Sequence, residues 1–256
     1  MKIRSIVPAA AIAFVIPLAH TTAVVAADIK VLSTFGMREV LKEIAPQFER
    51  ATSHKLVIQY GSSAGLKRQI EGGETFDLAI ITPPVIDDLT SQGKVAGGTR
   101  AVIARSGMGV AVRAGAPRLD ISSVDAFRRA LVDAKSVSYT PGGTTGTHLA
   151  KVLAGLGIAE EMKAKNTPEQ TPERVVQAVA NGEVELGFTA TATILATPGV
   201  AVLGPFPPEL QDYIVYTAGV GAASKQAEAA KALINLLRTE GAVSIMKAKG
   251  LEALVQ

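Results

Sequence analysis

Strand-like runs alternate with helical patterns along the first third of the chain. Runs at 29–32, 55–60 and 76–81 have the length and composition of strands, and the last is apolar enough to be buried in a parallel sheet. Between the first two runs, apolar residues at 40, 41, 44, 45 and 48 follow the i, i+3, i+4 spacing of an amphipathic helix, and 66–72 forms a second helical segment. This order predicts an α/β lobe with a parallel core and right-handed crossovers.

A second set of strands and helices begins after two extended runs, at 101–105 and 107–112, which are separated by one residue and can form one continuous extended segment. The predicted helices of this part are 124–134, 148–156 and 172–180, and the predicted strands are 136–139, 185–189 and 199–203. An extended segment at 213–220 can carry the chain back to the first lobe, before terminal helices at 226–238 and 242–249.

The chain is therefore predicted to have an α/β fold of two lobes. Lobe 1 comprises residues 28–105 and 218–256, and lobe 2 comprises residues 106–217. Each lobe is expected to contain a mostly parallel sheet flanked by helices. The paired crossings between the lobes leave a cleft, and clefts of this kind are common ligand sites.

The first 27 residues have the pattern of a secretory signal peptide. Lys2 and Arg4 precede an apolar run at 6–18, and small residues at 23–27 supply a cleavage site. We expect the mature chain to begin near Asp28 and to lie in the periplasm. Removing residues 1–27 takes away two of the 26 basic residues and none of the 23 acidic residues, so the formal net charge falls from +3 to +1.

The composition excludes several classes of function. The chain has no Cys, which excludes disulfides, thiolate metal sites and a cysteine nucleophile. Basic residues are scattered and aromatic residues are few, so the pattern does not indicate nucleic-acid binding. The acidic pair Asp87 and Asp88 is interpreted as a solvated helix face, and we expect no metal site and no cofactor. We expect the protein to be a monomer.

Three turns share one design, in which a strand ends, small or hydroxylated residues follow, and a helix begins. Free N–H groups and the positive end of the helix dipole favour an anion there, and hydroxyl groups add further donors. In a parallel sheet such turns lie at the carboxyl ends of strands, where ligands bind. The alternative is that these residues only cap their helices. The predicted ligand contacts in the three turns are Thr34, Gly36, Ser62, Ser63, Thr144 and Thr145.

Arginine side chains are a second source of anion contacts, because a guanidinium group can bind a carboxylate through two parallel hydrogen bonds. Arg38, Arg105 and Arg113 are candidates. Arg174 is the preferred one, because it lies in the first turn of a helix that Thr171 is predicted to cap. Its neighbour Glu173 is interpreted as part of a surface ion pair.

The segment 61–65 also matches G-x-S-x-G, the nucleophile elbow of α/β-hydrolases, between a strand and a helix. A serine hydrolase is therefore an alternative function. A hydrolase would need a histidine downstream of Ser63, and His148 is the only one there. Because His148 lies within a predicted helix far from the end of the chain, we expect binding without catalysis and assign no catalytic residue.

The segment 61–73 and the strand at 76–80 resemble the molybdate-binding proteins of ABC importers. The likeness covers nearly the whole expected mature chain and continues through residues 144–146 and 182–187 to the final helices. Its most specific part is 62–73. The resemblance implies a type II periplasmic solute-binding protein that closes its lobes on a ligand and delivers it to a permease in the membrane.

The same resemblance implies how the ligand is held. The family binds a tetrahedral oxyanion through hydroxyl groups and backbone amides; Ser63 matches the family's serine in the second loop, and Thr145 lies where a small residue donates its amide. The chain departs from the family at Gly36, which replaces a serine, and at Ala190, which replaces a tyrosine. Pro172 lies near a further amide donor of the family and has no N–H to give.

These departures leave the identity of the ligand open. Thr34 and Thr189 could compensate for the lost donors, so Thr189 joins the predicted ligand contacts. The ligand is then a molybdate-like or tungstate-like oxyanion, or a different anion such as a small organic acid. A sensor that reports ligand to a membrane partner is a further alternative to transport.

Overall fold

A computed structural model of the chain describes residues 26–141 and 144–254. The predicted signal peptide lies almost wholly outside these described residues. None of the helices in the described part of the chain has the length and apolar character needed to cross a membrane.

The described residues form the strands and helices that the sequence pattern predicts, together with short elements at Ala159–Lys165, Thr191–Leu195 and Glu252–Ala253 that it does not. The strands are β1 (Asp28–Thr34), β2 (Lys55–Gly61), β3 (Leu78–Ile81), β4 (Ala101–Arg113), β5 (Val137–Ser138), β6 (Leu186–Ala190), β7 (Val200–Pro205), β8 (Tyr213–Val220) and β9 (Glu252–Ala253). The helices are α1 (Arg38–Thr52), α2 (Ser63–Glu71), α3 (Pro83–Ser91), α4 (Val124–Asp133), α5 (Thr144–Gly155), α6 (Ala159–Lys165), α7 (Pro172–Asn181), α8 (Thr191–Leu195), α9 (Ala227–Leu237) and α10 (Glu240–Ala248). Short 3-10 turns lie at Phe35–Met37 and Pro208–Leu210.

The long strand β4 joins two sheets. The strands follow the order β2-β1-β3-β8-β4-β6-β5, with β7 and β9 also paired to β4. The first half of β4 pairs with β8, and its second half pairs with β6 and β7. All of β8 pairs with strands of the first sheet, so the chain returns to that sheet before Tyr213.

The direction of the strands differs between the two sheets. In the first sheet β1 is parallel to both β2 and β3, as expected, and β8 is antiparallel to β3. In the second sheet β5 and β6 are parallel, whereas β4 is antiparallel to both β6 and β7. Each sheet thus contains parallel pairs of strands, and the crossing strands β4 and β8 add antiparallel pairs to them.

Side chains at the crossing between the sheets are held by specific contacts. The Gln211 side chain accepts a hydrogen bond from the Met108 N–H (2.9 Å) and donates one to the Met108 carbonyl (3.0 Å). The Arg105 guanidinium lies over the Tyr213 ring, 4.0 Å from its centroid. Hydrogen bonds and a cation–π contact therefore join β4 to the segment that leads into β8, where both pass between the sheets.

Each sheet has its own apolar core. On α1 four of the five residues that the helical period predicts to face inward are buried, namely Val40, Leu41, Ile44 and Phe48, and the fifth, Ala45, is partly buried. The four residues of β3 are all buried, as expected for a strand covered on both faces. In the second sheet the rings of Phe127 and Phe188 both pack on Phe206, with centroid distances of 5.0 and 6.1 Å.

Candidate functional site

A cleft with a volume of about 680 Å³ lies where residues that follow strands of both sheets meet. The first sheet contributes the turns after β1, β2 and β3, and the second contributes β6 and the starts of α5 and α7. We call this cavity the cleft. Its position at strand ends, with helix N-termini around it, is the usual place for a ligand in an α/β protein.

The cleft brings together seven of the eight predicted ligand contacts. They are Thr34, Gly36, Ser62, Ser63, Thr144, Thr145 and Thr189. Arg174 is the exception, because it does not line the cleft. Its side chain is exposed and forms an ion pair (3.4 Å) with Glu169, which does line the cleft, so the charge of Arg174 is engaged by a residue of the cleft wall.

The turn after β2 serves both as a helix cap and as part of the cleft wall. The Ser62 hydroxyl accepts a hydrogen bond from the Gly65 N–H (3.1 Å), which is the usual contact of an N-cap residue. The Ser63 hydroxyl accepts a bond from the Thr82 N–H (3.3 Å) and keeps its own proton available to donate. The first N–H groups of α2 also have no acceptor within the helix. The turn can thus present several donors to an anion.

Two residues of the cleft wall, one after a strand of each sheet, carry a buried hydroxyl group without a partner among the described residues. The hydroxyl oxygens of Thr34 and Thr140 are both buried, and neither has a hydrogen-bond partner among the described residues. Thr34 ends β1, and Thr140 follows β5 in the second sheet; both line the cleft. A buried hydroxyl without a partner costs about 1–3 kcal/mol. A ligand that bonds to both groups would remove this cost.

Tyr216 explains why residue 36 is glycine. A Cβ atom placed on Gly36 would lie 2.1 Å from the Tyr216 hydroxyl oxygen. Tyr216 comes from β8, is 1% exposed and lines the cleft. Its hydroxyl therefore occupies the space that any side chain at position 36 would need.

The Tyr216 hydroxyl is a neutral donor. Burial raises the pKa of Tyr216, and the negative charge of Glu173 raises it further. The group therefore keeps its proton over the whole physiological range. It supplies, from a different strand, a hydroxyl group beside the position where the family resemblance implies a serine. The sequence pattern does not single out Tyr216, which looks like an ordinary residue of an extended run.

Glu173 is not the surface residue that the sequence pattern suggests. Burial raises the pKa of its carboxyl group, and the positive charge of Arg38 opposes this shift. One carboxylate oxygen is buried and has no hydrogen-bond partner among the described residues. The preceding residue, Pro172, lines the cleft. A titratable carboxyl group thus lies next to the cleft wall.

Arg68 is a cleft residue that the sequence pattern also misses. It lies on α2, is exposed and lines the cleft. Of the arginines considered from the sequence, Arg38 stacks on the rings of Phe35 and Tyr60 at 5.1 and 5.0 Å, and Arg105 pairs with Glu252 at 2.6 Å. None of Arg38, Arg105 and Arg113 lines the cleft.

No histidine lines the cleft within residues 26–141 and 144–254, whereas a serine hydrolase needs one beside its serine. Neither His54 nor His148 lines the cleft beside Ser63. The His148 ring bonds to the Leu210 carbonyl through Nε2 (2.7 Å) and lies 3.4 Å from the Asp212 carboxylate. Among residues 26–141 and 144–254, no group of three or more His, Cys, Asp or Glu side chains is placed to bind a metal ion.

Comparison of the sequence with known proteins identifies relatives over most of its length. Residues 29–252 match the family of bacterial extracellular solute-binding proteins. The chain is 32% identical over 230 residues to an aconitate isomerase from Pseudomonas sp., a match that covers 87% of this chain and 86% of that protein. It is 28% identical over 238 residues to the molybdate-binding protein ModA of Azotobacter vinelandii, covering 88% and 90% of the two chains.

The fold has a close counterpart among solved structures. The periplasmic molybdate-binding protein of Azotobacter vinelandii superimposes with a TM-score of 0.73 at 23% identity, covering 87% of this chain and 98% of that chain. This likeness confirms the predicted two-lobed binding-protein fold, and the match to ModA confirms the resemblance seen in the sequence. The chain therefore belongs to the family of bacterial extracellular solute-binding proteins.

Proposed function

We propose that this protein captures a small anion in the cleft and delivers it to an ABC importer in the membrane. In this proposal the ligand is held by hydroxyl groups and backbone amides, with Thr34, Ser63, Thr145 and Thr189 among its contacts. Molybdate and tungstate are the first ligands to test, because relatives over nearly the whole chain are molybdate-binding proteins. The expected location is the periplasm, and the expected form is a monomer.

The observation that carries the proposal is the pair of buried hydroxyl groups of Thr34 and Thr140. They line one cleft from two different sheets, and neither has a partner among the described residues. Hydrogen bonds to a charged group contribute about 1.5–3 kcal/mol, more than bonds between neutral groups. An anion between the sheets would satisfy both hydroxyls at once.

Capture is proposed to close the two sheets around the ligand. A ligand that contacts both sides favours the closed population over the open one by its differential affinity. The pivot is proposed to lie near Ser106 in β4 and near Gln211 and Asp212 before β8. This differs from the sequence-based division of the lobes, which falls between residues 217 and 218 within β8. Delivery then requires the importer to favour the open form again.

The proposal is tested by calorimetric titration of the wild type and Thr34→Val with molybdate, tungstate, sulfate, phosphate, succinate and citrate. The substitution removes one hydroxyl with little change in shape, so we expect affinity to fall about tenfold or more. Stability without ligand should stay equal or rise, because this hydroxyl has no partner in the free protein.

Thr90→Val is the matched control. The Thr90 hydroxyl donates to the Ile86 carbonyl on α3 (2.7 Å), and Thr90 does not line the cleft. This variant should bind the anion as the wild type does. Equal affinities for Thr34→Val and wild type would contradict the proposed site. Absence of binding by any inorganic or organic anion would contradict the proposed function.

Isomerisation of an unsaturated organic acid is a second candidate function. The observation in its favour is the 32% identity to a protein named aconitate isomerase. Shifting a double bond removes a proton from one carbon and adds a proton to another, which requires a titratable group beside the ligand. Proton NMR of cis-aconitate and of trans-aconitate with the protein distinguishes the two functions: appearance of the other isomer indicates catalysis, and unchanged spectra with retained binding indicate capture alone.

A further inference from the structure

Arg68 places a guanidinium group in the wall of the cleft. Among the described residues that line the cleft, Arg68 is the only Lys or Arg. No hydrogen bond or ion pair of its guanidinium group is found among the described residues, whereas the neighbouring Lys67 pairs with both Asp88 (2.6 Å) and Glu71 (3.4 Å). A guanidinium that lines a ligand cleft without a carboxylate partner is available to bind one from the ligand.

Ser63 and Arg68 lie at different places along the same helix. The N-terminus of α2 at Ser63 offers backbone amides and a hydroxyl group to an anion. Arg68 is five residues farther along, which corresponds to roughly 7 Å of helix rise. It is also four residues from Ala64, which lines the cleft as well, so the two share one face of α2. One small tetrahedral ion at the N-terminus would leave the guanidinium group unused.

Thr34 supplies independent support for an anionic group at the first of these places. Its side chain is only 8% exposed, its hydroxyl oxygen has no partner among the described residues, and it lines the same cleft as Ser63. The cleft thus contains a buried donor near the start of α2 and an exposed guanidinium farther along that helix. Two separated contacts of this kind fit a ligand with more than one anionic group.

The size and lining of the cleft fit an organic ligand. A volume of about 680 Å³ has room for about twenty water-sized groups at roughly 30 Å³ each, far more than a five-atom oxyanion occupies. Apolar side chains share the wall with the hydroxyl groups, namely Phe35, Val85, Phe188 and Ile214. Such a wall can contact a carbon skeleton, which an inorganic oxyanion lacks.

We infer that the ligand is an organic acid with two or more carboxylates, one bound at the start of α2 by Ser63 and Thr34 and another bound by Arg68. This inference rests on the proposed capture of an anion in the cleft and names the chemical class of that anion. Arg68 would then determine specificity, because it selects ligands long enough to place a second carboxylate at its guanidinium group.

The test is a calorimetric titration with four probes: molybdate, acetate, succinate and citrate. Wild-type protein should bind at least one of the polycarboxylates more tightly than molybdate or acetate. Arg68→Gln should weaken polycarboxylate binding roughly 10- to 100-fold. Arg68→Lys should retain part of the affinity, because it keeps the charge and loses the planar pair of donors.

Arg50→Gln is the control, since it removes the same charge from an exposed position on α1 outside the cleft. It should change the affinity less than about twofold, as a distant screened charge does. Binding of molybdate without any polycarboxylate would overturn the inference and leave the proposed anion capture standing. Equal losses in Arg68→Gln and Arg50→Gln would also overturn it. Absence of binding to all four probes would overturn the inference, and absence of binding to tungstate, sulfate and phosphate as well would overturn the proposed function.

Discussion

Replacing Gly36 with alanine is the sharpest test of how the cleft is built. The added Cβ would lie 2.1 Å from the Tyr216 hydroxyl oxygen and 2.7 Å from the ring carbon that carries it. Both distances are shorter than nonbonded atoms tolerate. Gly36 does not have a positive φ, so its backbone would accept alanine and only the space is limiting. The Tyr216 ring is fully buried and cannot turn aside without moving its neighbours.

The expected effect is the loss of about 1–3 kcal/mol in the free energy of unfolding, the usual cost of overpacking a core. For a domain of this size each kcal/mol corresponds to about 2–4 °C in the melting temperature, so Gly36→Ala should melt about 2–12 °C lower. Anion affinity should fall as well, because the Tyr216 hydroxyl must leave its place in the wall. Thermal unfolding followed by circular dichroism, together with calorimetric titration, measures both effects.

Two comparisons separate this explanation from a general sensitivity to alanine. Gly97→Ala adds a Cβ that meets no atom within 4 Å, so its stability should stay within about 0.5 kcal/mol of the wild type. Adding Tyr216→Phe to Gly36→Ala removes the oxygen at 2.1 Å and leaves the carbon at 2.7 Å, so it should restore part of the lost stability. A Gly36→Ala protein with the same melting temperature as Gly97→Ala would refute the reasoning.

Two further predictions concern stability. Burial raises the pKa of Glu173 above its ordinary value of 4.5, so its charged form is disfavoured in the folded state. Glu173→Gln should therefore melt higher than the wild type at pH 7, and the difference should shrink as the pH falls toward 4; a constant difference across this range would contradict the assignment. The Ser123 hydroxyl caps α4 by accepting a hydrogen bond from the Ala126 N–H (3.2 Å). Ser123→Ala should therefore lower the free energy of unfolding, measured in urea, by about 1 kcal/mol. An unchanged urea midpoint would show that the cap contributes nothing.

The repeated order of strand, turn and helix is what made much of the cleft predictable. A turn that follows a parallel strand must lie at the carboxyl edge of its sheet, so Thr34 and Ser63 meet because β1 and β2 are neighbours. The start of α5 at Thr145 follows β5 in the same way in the second sheet. These positions follow from local patterns and from the handedness of the connections.

The rest of the cleft depends on contacts between distant parts of the chain. Tyr216 reaches Gly36 only because β8 pairs with β3 and β4, a pairing that no local pattern encodes. Arg68 lies within a helical segment whose period assigns it to solvent. Arg174 was predicted from its place in a helix, whereas the direction of its side chain depends on Glu169. The short helices α6 and α8 were missed, since five to seven residues hold too few turns to show a period.

The strand that carries Tyr216 also leads into the joint between the sheets. Tyr216 is paired with Ala104 on β4, two residues before the buried Ser106. The Ser106 hydroxyl accepts a hydrogen bond from the Ala192 N–H at the start of α8, the helix that follows β6 of the second sheet. Residues 104–107 of β4 pair without interruption with residues 213–216 of β8, so regular sheet rather than a loop joins Tyr216 to the proposed pivot. A ligand that touches that ring would therefore contact the strand that leads into the proposed pivot.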